Sequence, residues 1–201
     1  MVVLGAIRHG KTDWNERGLV QGRTDRPLSE AGREEVQGWR LPAPWQGDVD
    51  WVSSPLTRAV TTATLLRGRA PRLEPALIEA DWGAWEGYDL DTLRRTRPGF
   101  EVEEARGLDF RPPGGESPRD VLARVSAWLA SLPERGPPIM AVTHNGVLRA
   151  LLVAATGWPM LGKPPVRLHR EALHVFHVGA GGSVRLARPN IPLTGSAPST
   201  A

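Results

Sequence analysis

The sequence predicts an α/β domain built on a largely parallel sheet, and three observations carry that expectation. Two short, almost wholly apolar runs, residues 2–7 (VVLGAI) and 139–142 (IMAV), read as buried strands. Each run stops abruptly at a polar motif, Arg8-His9-Gly10 in the first and Thr143-His144-Asn145-Gly146 in the second. Around them, strand-like runs alternate with segments of helical periodicity, the pattern of a parallel sheet with crossover helices.

The remaining elements follow in order. Residues 27–41 (PLSEAGREEVQGWRL) read as a helix with Ser29 as its cap and acids in its first turns. Residues 50–66 (DWVSSPLTRAVTTATLL) read as a short strand, a turn at Ser53-Ser54, and a helix begun by Pro55, whose missing N–H costs nothing at a first helical position. Residues 72–87 (RLEPALIEADWGAWEG) give a strand and then a glycine-punctuated loop, and residues 89–97 a short helix ended by Pro98-Gly99. Ser117, Pro118 and Asp120 form the clearest helix start, with Asp120 placed for a capping box. Val121, Leu122, Val125, Trp128, Leu129 and Leu132 then share one apolar face. Residues 172–178 (ALHVFHV) form a late strand. With no internal repeat and no linker, residues 1–188 read as a single domain. Residues 189–201, rich in Pro, Ser, Thr and Gly, are expected to be a disordered tail.

Composition narrows the function. A chain of 201 residues with 40% hydrophobic and 23% charged residues suits one globular domain. The absence of cysteine excludes disulfides and thiolate zinc sites. No apolar run is long enough to span a bilayer, and the N-terminus enters a strand without a basic-then-apolar leader, so no membrane partner and a cytoplasmic location are expected. The net charge is +3, and its basic residues are almost all arginine, dispersed among acids such as Glu30, Glu34, Glu35, Glu103 and Glu104. Without a basic stripe interleaved with aromatics, nucleic acid is not an expected partner. His169, His174 and His177 make a loose cluster, but His174 and His177 point to opposite faces of a strand, so no metal site is assigned.

In open α/β sheets, ligands sit beyond the carboxyl ends of the strands, where Arg8-His9 and His144 fall. Two arginines (Arg8, Arg58) and two histidines converging on one point need an anion between them, and a phosphoryl group suits that role. Cationic neighbours lower a histidine's pKa and keep one ring nitrogen free to attack. A carboxyl group is then needed to protonate the leaving oxygen, and Glu79 is the candidate, with Asp81 and Glu86 on the same loop. Glu86 is expected to hold the loop by hydrogen bonds.

These residues resemble the histidine phosphatase superfamily, which includes the cofactor-dependent phosphoglycerate mutases. The resemblance rests on six ordered blocks: RHGKT with the following Asn15, QGRTDRPLSEAG, SSPLTRAVTTA, IEADWGAWEG, PGGES before a helix, and VTHNGVLRALL. It implies a three-layer αβα sandwich with a mostly parallel central sheet. It also implies a nucleophile at His9 that becomes phosphohistidine, with Arg8, Arg58 and His144 holding the phosphoryl group and Glu79 as general acid and then base. Asn15, Gln21, Gly22, Thr24 and Asn145 are the implied substrate-binding residues. Lys11 stands where the family usually carries an acid, which adds charge near the pocket or faces solvent.

The expected activity is a metal-independent, cofactor-free phosphomonoesterase acting on a small phosphorylated metabolite, similar in style to small bacterial members such as alpha-ribazole phosphatase. The alternative is a phosphoglycerate mutase. The mutases carry a longer segment that roofs the pocket, whereas residues 88–138 are short here, which admits water and favours hydrolysis. Specificity is expected from loops 17–26 and 89–113, with Arg23, Arg26, Arg106 and Arg111 as candidates for a second anionic group. A second copy of the chain is the one protein partner considered, as a homodimer.

Overall fold

The computed structural model describes residues 1–193. In chain order it contains β1 (Val2–Arg8), α1 (Asp13–Glu16), α2 (Glu30–Gly38), β2 (Asp50–Ser53), α3 (Thr57–Arg67), β3 (Arg72–Leu73), α4 (Leu90–Thr96), α5 (Phe100–Glu104), α6 (Pro118–Ser131), β4 (Ile139–Thr143), α7 (Asn145–Thr156), β5 (Ala172–Val178) and β6 (Val184–Pro192). The six strands form one sheet in the order β3-β2-β4-β1-β5-β6. Strands β1 to β4 are mutually parallel, whereas β5 runs antiparallel to β1 and to β6.

Alternation along the central strands sends side chains to both faces. On one face Leu4, Ala6 and Ala141 meet Val121, Val125 and Leu129 of α6 and Val147, Leu148 and Leu151 of α7. On the other, Ile7, Met140 and Val142 meet Val36 of α2, Ala59 and Ala63 of α3, and the indoles of Trp39, Trp45 and Trp51. The expected three-layer sandwich is therefore present, with β1 and β4 buried on both sides. A separate aromatic cluster of Trp85, Leu93 and Phe100, flanked by Trp82, Leu90 and Phe110, packs beside the Glu79 loop.

Several local expectations hold. Ser29 caps α2 through the Gly32 N–H, and Ser117 and Asp120 close the capping box of α6. Others change. Helix α3 starts at Thr57 rather than at Pro55; Asp25 accepts from both the N–H and the hydroxyl of Thr57 and so caps the helix from a distant loop. The strand expected from residue 72 lasts two residues, because Pro75 turns the chain into a 3-10 turn, Pro75–Leu77. The expected tail begins too early: residues 189–192 belong to β6, where Ile191 and Pro192 pair with Leu173 and Ala172 of β5. The rest of that expected tail, from residue 194, lies outside the described residues.

His174 and His177 do face opposite ways. His174 is buried: its Nδ1 accepts from the Asn190 N–H and its Nε2 donates to the His169 carbonyl. Burial lowers its pKa to about 4. An unfolded histidine takes up its proton near pH 6.5, so His174 weakens the fold as pH drops from about 6.5 towards 4 and costs nothing above that window. A His174→Gln variant, which can keep one donor and one acceptor, is expected to lose about 2 kcal/mol less stability than the native chain between pH 7 and pH 4.5. Urea unfolding at the two pH values measures the difference, and parallel losses in both proteins would remove His174 as the cause.

Candidate active site

Register brings the site together. Arg8 pairs with Thr143 across β1 and β4, so His9 and His144 follow at the same level. The His9 N–H closes the ladder on the Thr143 carbonyl at 3.0 Å, and the Ser54 N–H does the same on Val142 from β2 at 3.0 Å. The two imidazole centroids lie 5.0 Å apart. Three strand ends thus deliver His9, His144 and Ser54 to one point, with the rigidity of the sheet behind them.

His9 is 2% exposed. Its Nδ1 lies 2.6 Å from the Gly10 carbonyl, so Nδ1 carries the proton and Nε2 keeps its lone pair. Burial pushes its pKa well below the usual imidazole range, and the charges of His144, Arg8, Arg58 and Arg170 push the same way. Gly10 is required for packing: a Cβ there meets Val36 Cγ2 of α2 at 2.5 Å.

His144 is fully buried, with a pKa lowered by burial and then by Arg58 and Arg8. Arg58 Nε donates to its Nδ1 at 3.3 Å, which assigns the proton to Nε2, 2.7 Å from Ser54 Oγ. Both ring nitrogens are engaged, so direct contact of His144 with a phosphoryl oxygen requires exchanging one of these bonds. Arg58, 1% exposed, is oriented further by the carbonyls of Thr24 at 2.9 Å and Gly22 at 2.7 Å. Gly22 and Thr24 therefore support Arg58 through their backbone. Arg8 Nε and Gln21 Oε1 are buried without a hydrogen-bond partner among the described residues. An oxyanion fits the first of these and a donor the second.

Glu79 supplies the carboxyl group. Its Oε1 accepts from the Ala80 N–H at 2.9 Å and from the Gly146 N–H, in the first turn of α7, at 3.0 Å. That fixes the carboxyl plane and leaves Oε2 for a proton. Glu86 holds the adjoining loops as expected, accepting from the N–H groups of Arg23, Thr24 and Trp82 and from the Thr24 hydroxyl. Asn145 opens α7 beside Glu79, with its side chain exposed.

Arg170, absent from the sequence expectations, completes the cationic set. It donates to the His9 carbonyl at 3.4 Å and to Asn15 Oδ1. Burial, then the Arg8 charge, lowers its pKa to about 9. Lys11 does not simply face solvent; it bridges Glu35 at 3.1 Å and Glu171 at 3.3 Å, next to Arg170. The four arginines expected for a second anion are engaged elsewhere: Arg23 with Glu116, Arg26 with Asp13, Arg106 with Glu103 and Arg111 with Asp120. No group of three or more His, Asp or Glu residues among those described is placed to hold a metal ion.

Residues 4–191 match the histidine phosphatase superfamily (branch 1). The chain belongs to that superfamily. It is 35% identical over 180 residues, 78% of each chain, to a glucosyl-3-phosphoglycerate phosphatase from Mycobacterium tuberculosis. It is 31% identical over 175 residues, 84% of this chain and 81% of the other, to a probable phosphoglycerate mutase from Salmonella paratyphi C. A mycobacterial glucosyl-3-phosphoglycerate phosphatase solved with VO3 superposes with a TM-score of 0.78 at 28% identity, covering 97% of this chain and 100% of that one. The expected family, fold and class of enzyme, acting on phosphoric monoesters, stand together on these likenesses.

Proposed function

We propose that the protein hydrolyses a small phosphorylated metabolite through a phosphohistidine on His9, with Glu79 as general acid and base. One observation carries this reading. A buried neutral histidine, its Nδ1 proton committed to a backbone carbonyl, sits among Arg8, Arg58 and Arg170, with the single carboxyl of Glu79 anchored nearby. A binding site for phosphate alone has no need of that carboxyl.

The steps balance. His9 Nε2 attacks phosphorus, the ester P–O bond breaks, and the leaving oxygen takes a proton from Glu79 in its acid form. The guanidinium groups of Arg8 and Arg58 match the charge on the equatorial oxygens as the phosphoryl group moves. Glu79 then takes a proton from water, whose oxygen attacks phosphorus, and the P–N bond breaks to give inorganic phosphate and neutral His9. Asn15 and Arg170 hold the backbone around the nucleophile, and Gln21 offers a buried acceptor to the substrate. The likeness to the mycobacterial phosphatase supports hydrolysis of a metabolite ester, and a small phosphorylated metabolite as substrate supports a cytoplasmic location.

The likeness to a probable phosphoglycerate mutase supports the second reading, in which the phosphohistidine returns to substrate instead of water. The two separate in one assay. Phosphate release from an aryl phosphate is expected to persist in excess chelator, with little interconversion of phosphoglycerates. Release that stops on chelation would sink the metal-free mechanism. Strong mutase activity with little release would move the chain to the isomerases.

A further inference from the structure

A general acid works only if its carboxyl meets the leaving oxygen, and the loop that carries Glu79 is braced by side chains that no step of the reaction uses. Arg23 holds three points at once. Its Nε donates to the Glu79 carbonyl at 3.4 Å, and its terminal nitrogens lie 3.6 Å from Asp81 Oδ2 and 2.8 Å from Glu116 Oε1. Glu116 accepts from the Asp81 N–H at 3.2 Å, while its own N–H donates to the Asp81 carbonyl at 2.9 Å. The Glu116 carboxylate also receives Arg124 of α6, through Nε at 3.3 Å and Nη2 at 3.2 Å, and Arg124 Nη1 reaches on to the Ala76 carbonyl at 2.6 Å. One carboxylate thus joins two guanidinium groups, one holding the chain before Glu79 and the other the carbonyl of Glu79 itself. The Glu116 and Arg124 side chains are 20% and 19% exposed, so the network is held more firmly than an isolated surface pair. The link to the carboxyl group is direct. The Glu79 carbonyl and the Ala80 N–H belong to one rigid peptide plane, and that N–H is one of the two that fix Glu79 Oε1.

We propose that Arg23, anchored on Glu116, is a positioning residue for the general acid: it holds the peptide plane that orients the Glu79 carboxyl against the leaving oxygen. The inference rests on the reading of Glu79 as general acid. It gives Arg23 a different task from the second-anion site expected from sequence. With Nε and both terminal nitrogens engaged, Arg23 acts through Glu79 rather than on the substrate. Its backbone N–H, donated to Glu86 at 2.7 Å, ties the same brace to the loop of Gln21, Gly22 and Thr24.

The test compares two esters: an alkyl phosphate, whose alcohol leaves only when protonated, and p-nitrophenyl phosphate, whose phenolate leaves unaided. The proteins are the native chain, Arg23→Gln, Arg23→Lys, Glu116→Gln and Glu79→Gln. The ratio kcat/KM covers the steps through departure of the alcohol, so it isolates the acid step. Arg23→Gln is expected to lower kcat/KM for the alkyl ester by roughly 10- to 100-fold and for the aryl ester by less than about threefold. Glu116→Gln should repeat that selective loss. Arg23→Lys, which keeps a charge for Glu116 but not the planar fork, should fall between Arg23→Gln and native. Inhibition by inorganic phosphate is expected to be unchanged in all three, because Arg8 and Arg58 hold the anion. Equal losses on both esters, no loss on either, or weakened inhibition by phosphate overturn the assignment. Glu79→Gln is the reference and should show the same selectivity more deeply. If it spares the alkyl ester, or lowers both esters alike, the acid role of Glu79 falls. A native protein that releases phosphate from neither ester refutes the phosphatase reading itself. Thermal melts separate these results from misfolding, and Arg23→Lys and Glu116→Gln carry the test if Arg23→Gln does not fold.

Discussion

A His9→Ala variant is expected to lose phosphate release by about four orders of magnitude or more while keeping its fold. That factor corresponds to roughly 5 kcal/mol of transition-state stabilisation. The imidazole is uncharged in the resting site, because burial and its cationic neighbours hold its pKa well below the usual range. Its removal therefore takes away a nucleophile and the hydrogen bond to the Gly10 carbonyl, but no ion pair. Arg8, Arg58 and Arg170 remain, so the variant still attracts a phosphoryl group, and the loss falls on kcat more than on KM. A second readout tests the intermediate. Native protein quenched during turnover of a phosphorus-labelled substrate is expected to carry an acid-labile, alkali-stable label, the behaviour of a phosphoramidate. The variant should carry none. Turnover within tenfold of native, or the same label on the variant, would place the nucleophile elsewhere.

The contrast between His9 and Arg170 explains what the sequence discloses about such a site. His9 and His144 are legible because each ends an apolar parallel strand, and the level register of Arg8 with Thr143 turns two separate motifs into one point. Arg58 is legible for the same reason, as it follows the end of β2. Arg170 reaches that point from the opposite direction. Strand β5 runs antiparallel to β1, so its N-terminal end, not its carboxyl end, lies beside the catalytic edge. A reader searching after apolar strands passes over a residue that precedes one. The ion pairs of Arg26 with Asp13 and Arg111 with Asp120 depend on side-chain meetings that neither helical period nor strand alternation encodes. Strand β6 was obscured by composition: proline at 189 and 192 resembles a loop, yet an edge strand tolerates it because one row of its N–H groups has no ladder to join.

The largest expected loss of stability comes from a glycine outside the catalytic set. Gly32 lies on the buried face of α2, and a Cβ added there meets the Lys11 carbonyl oxygen at 2.1 Å, its carbon at 2.8 Å and its nitrogen at 2.9 Å. All three are backbone atoms, so no side-chain rotation relieves the clash. The Lys11 carbonyl is itself held by the Ser29 N–H at 3.0 Å, which ties the start of α2 to the loop leaving β1. One turn along the helix, Val36 occupies the space that a side chain on Gly10 would need. Helix and loop are thus pressed together at Gly10, Lys11, Gly32 and Val36. Gly32→Ala must lift α2 or push the loop, and overpacking against backbone is expected to cost about 3 kcal/mol or more. Because the Gly10 carbonyl fixes the tautomer of His9, a displaced loop should also lower kcat in whatever protein remains folded. Gly38→Ala, on the same helix with nothing within 4 Å of the added carbon, provides the control and is expected to be neutral or to stabilise by up to about 1 kcal/mol. Urea unfolding of the two variants decides the point. If Gly32→Ala matches Gly38→Ala, the close approach of α2 to the nucleophile loop is not what holds His9 in place.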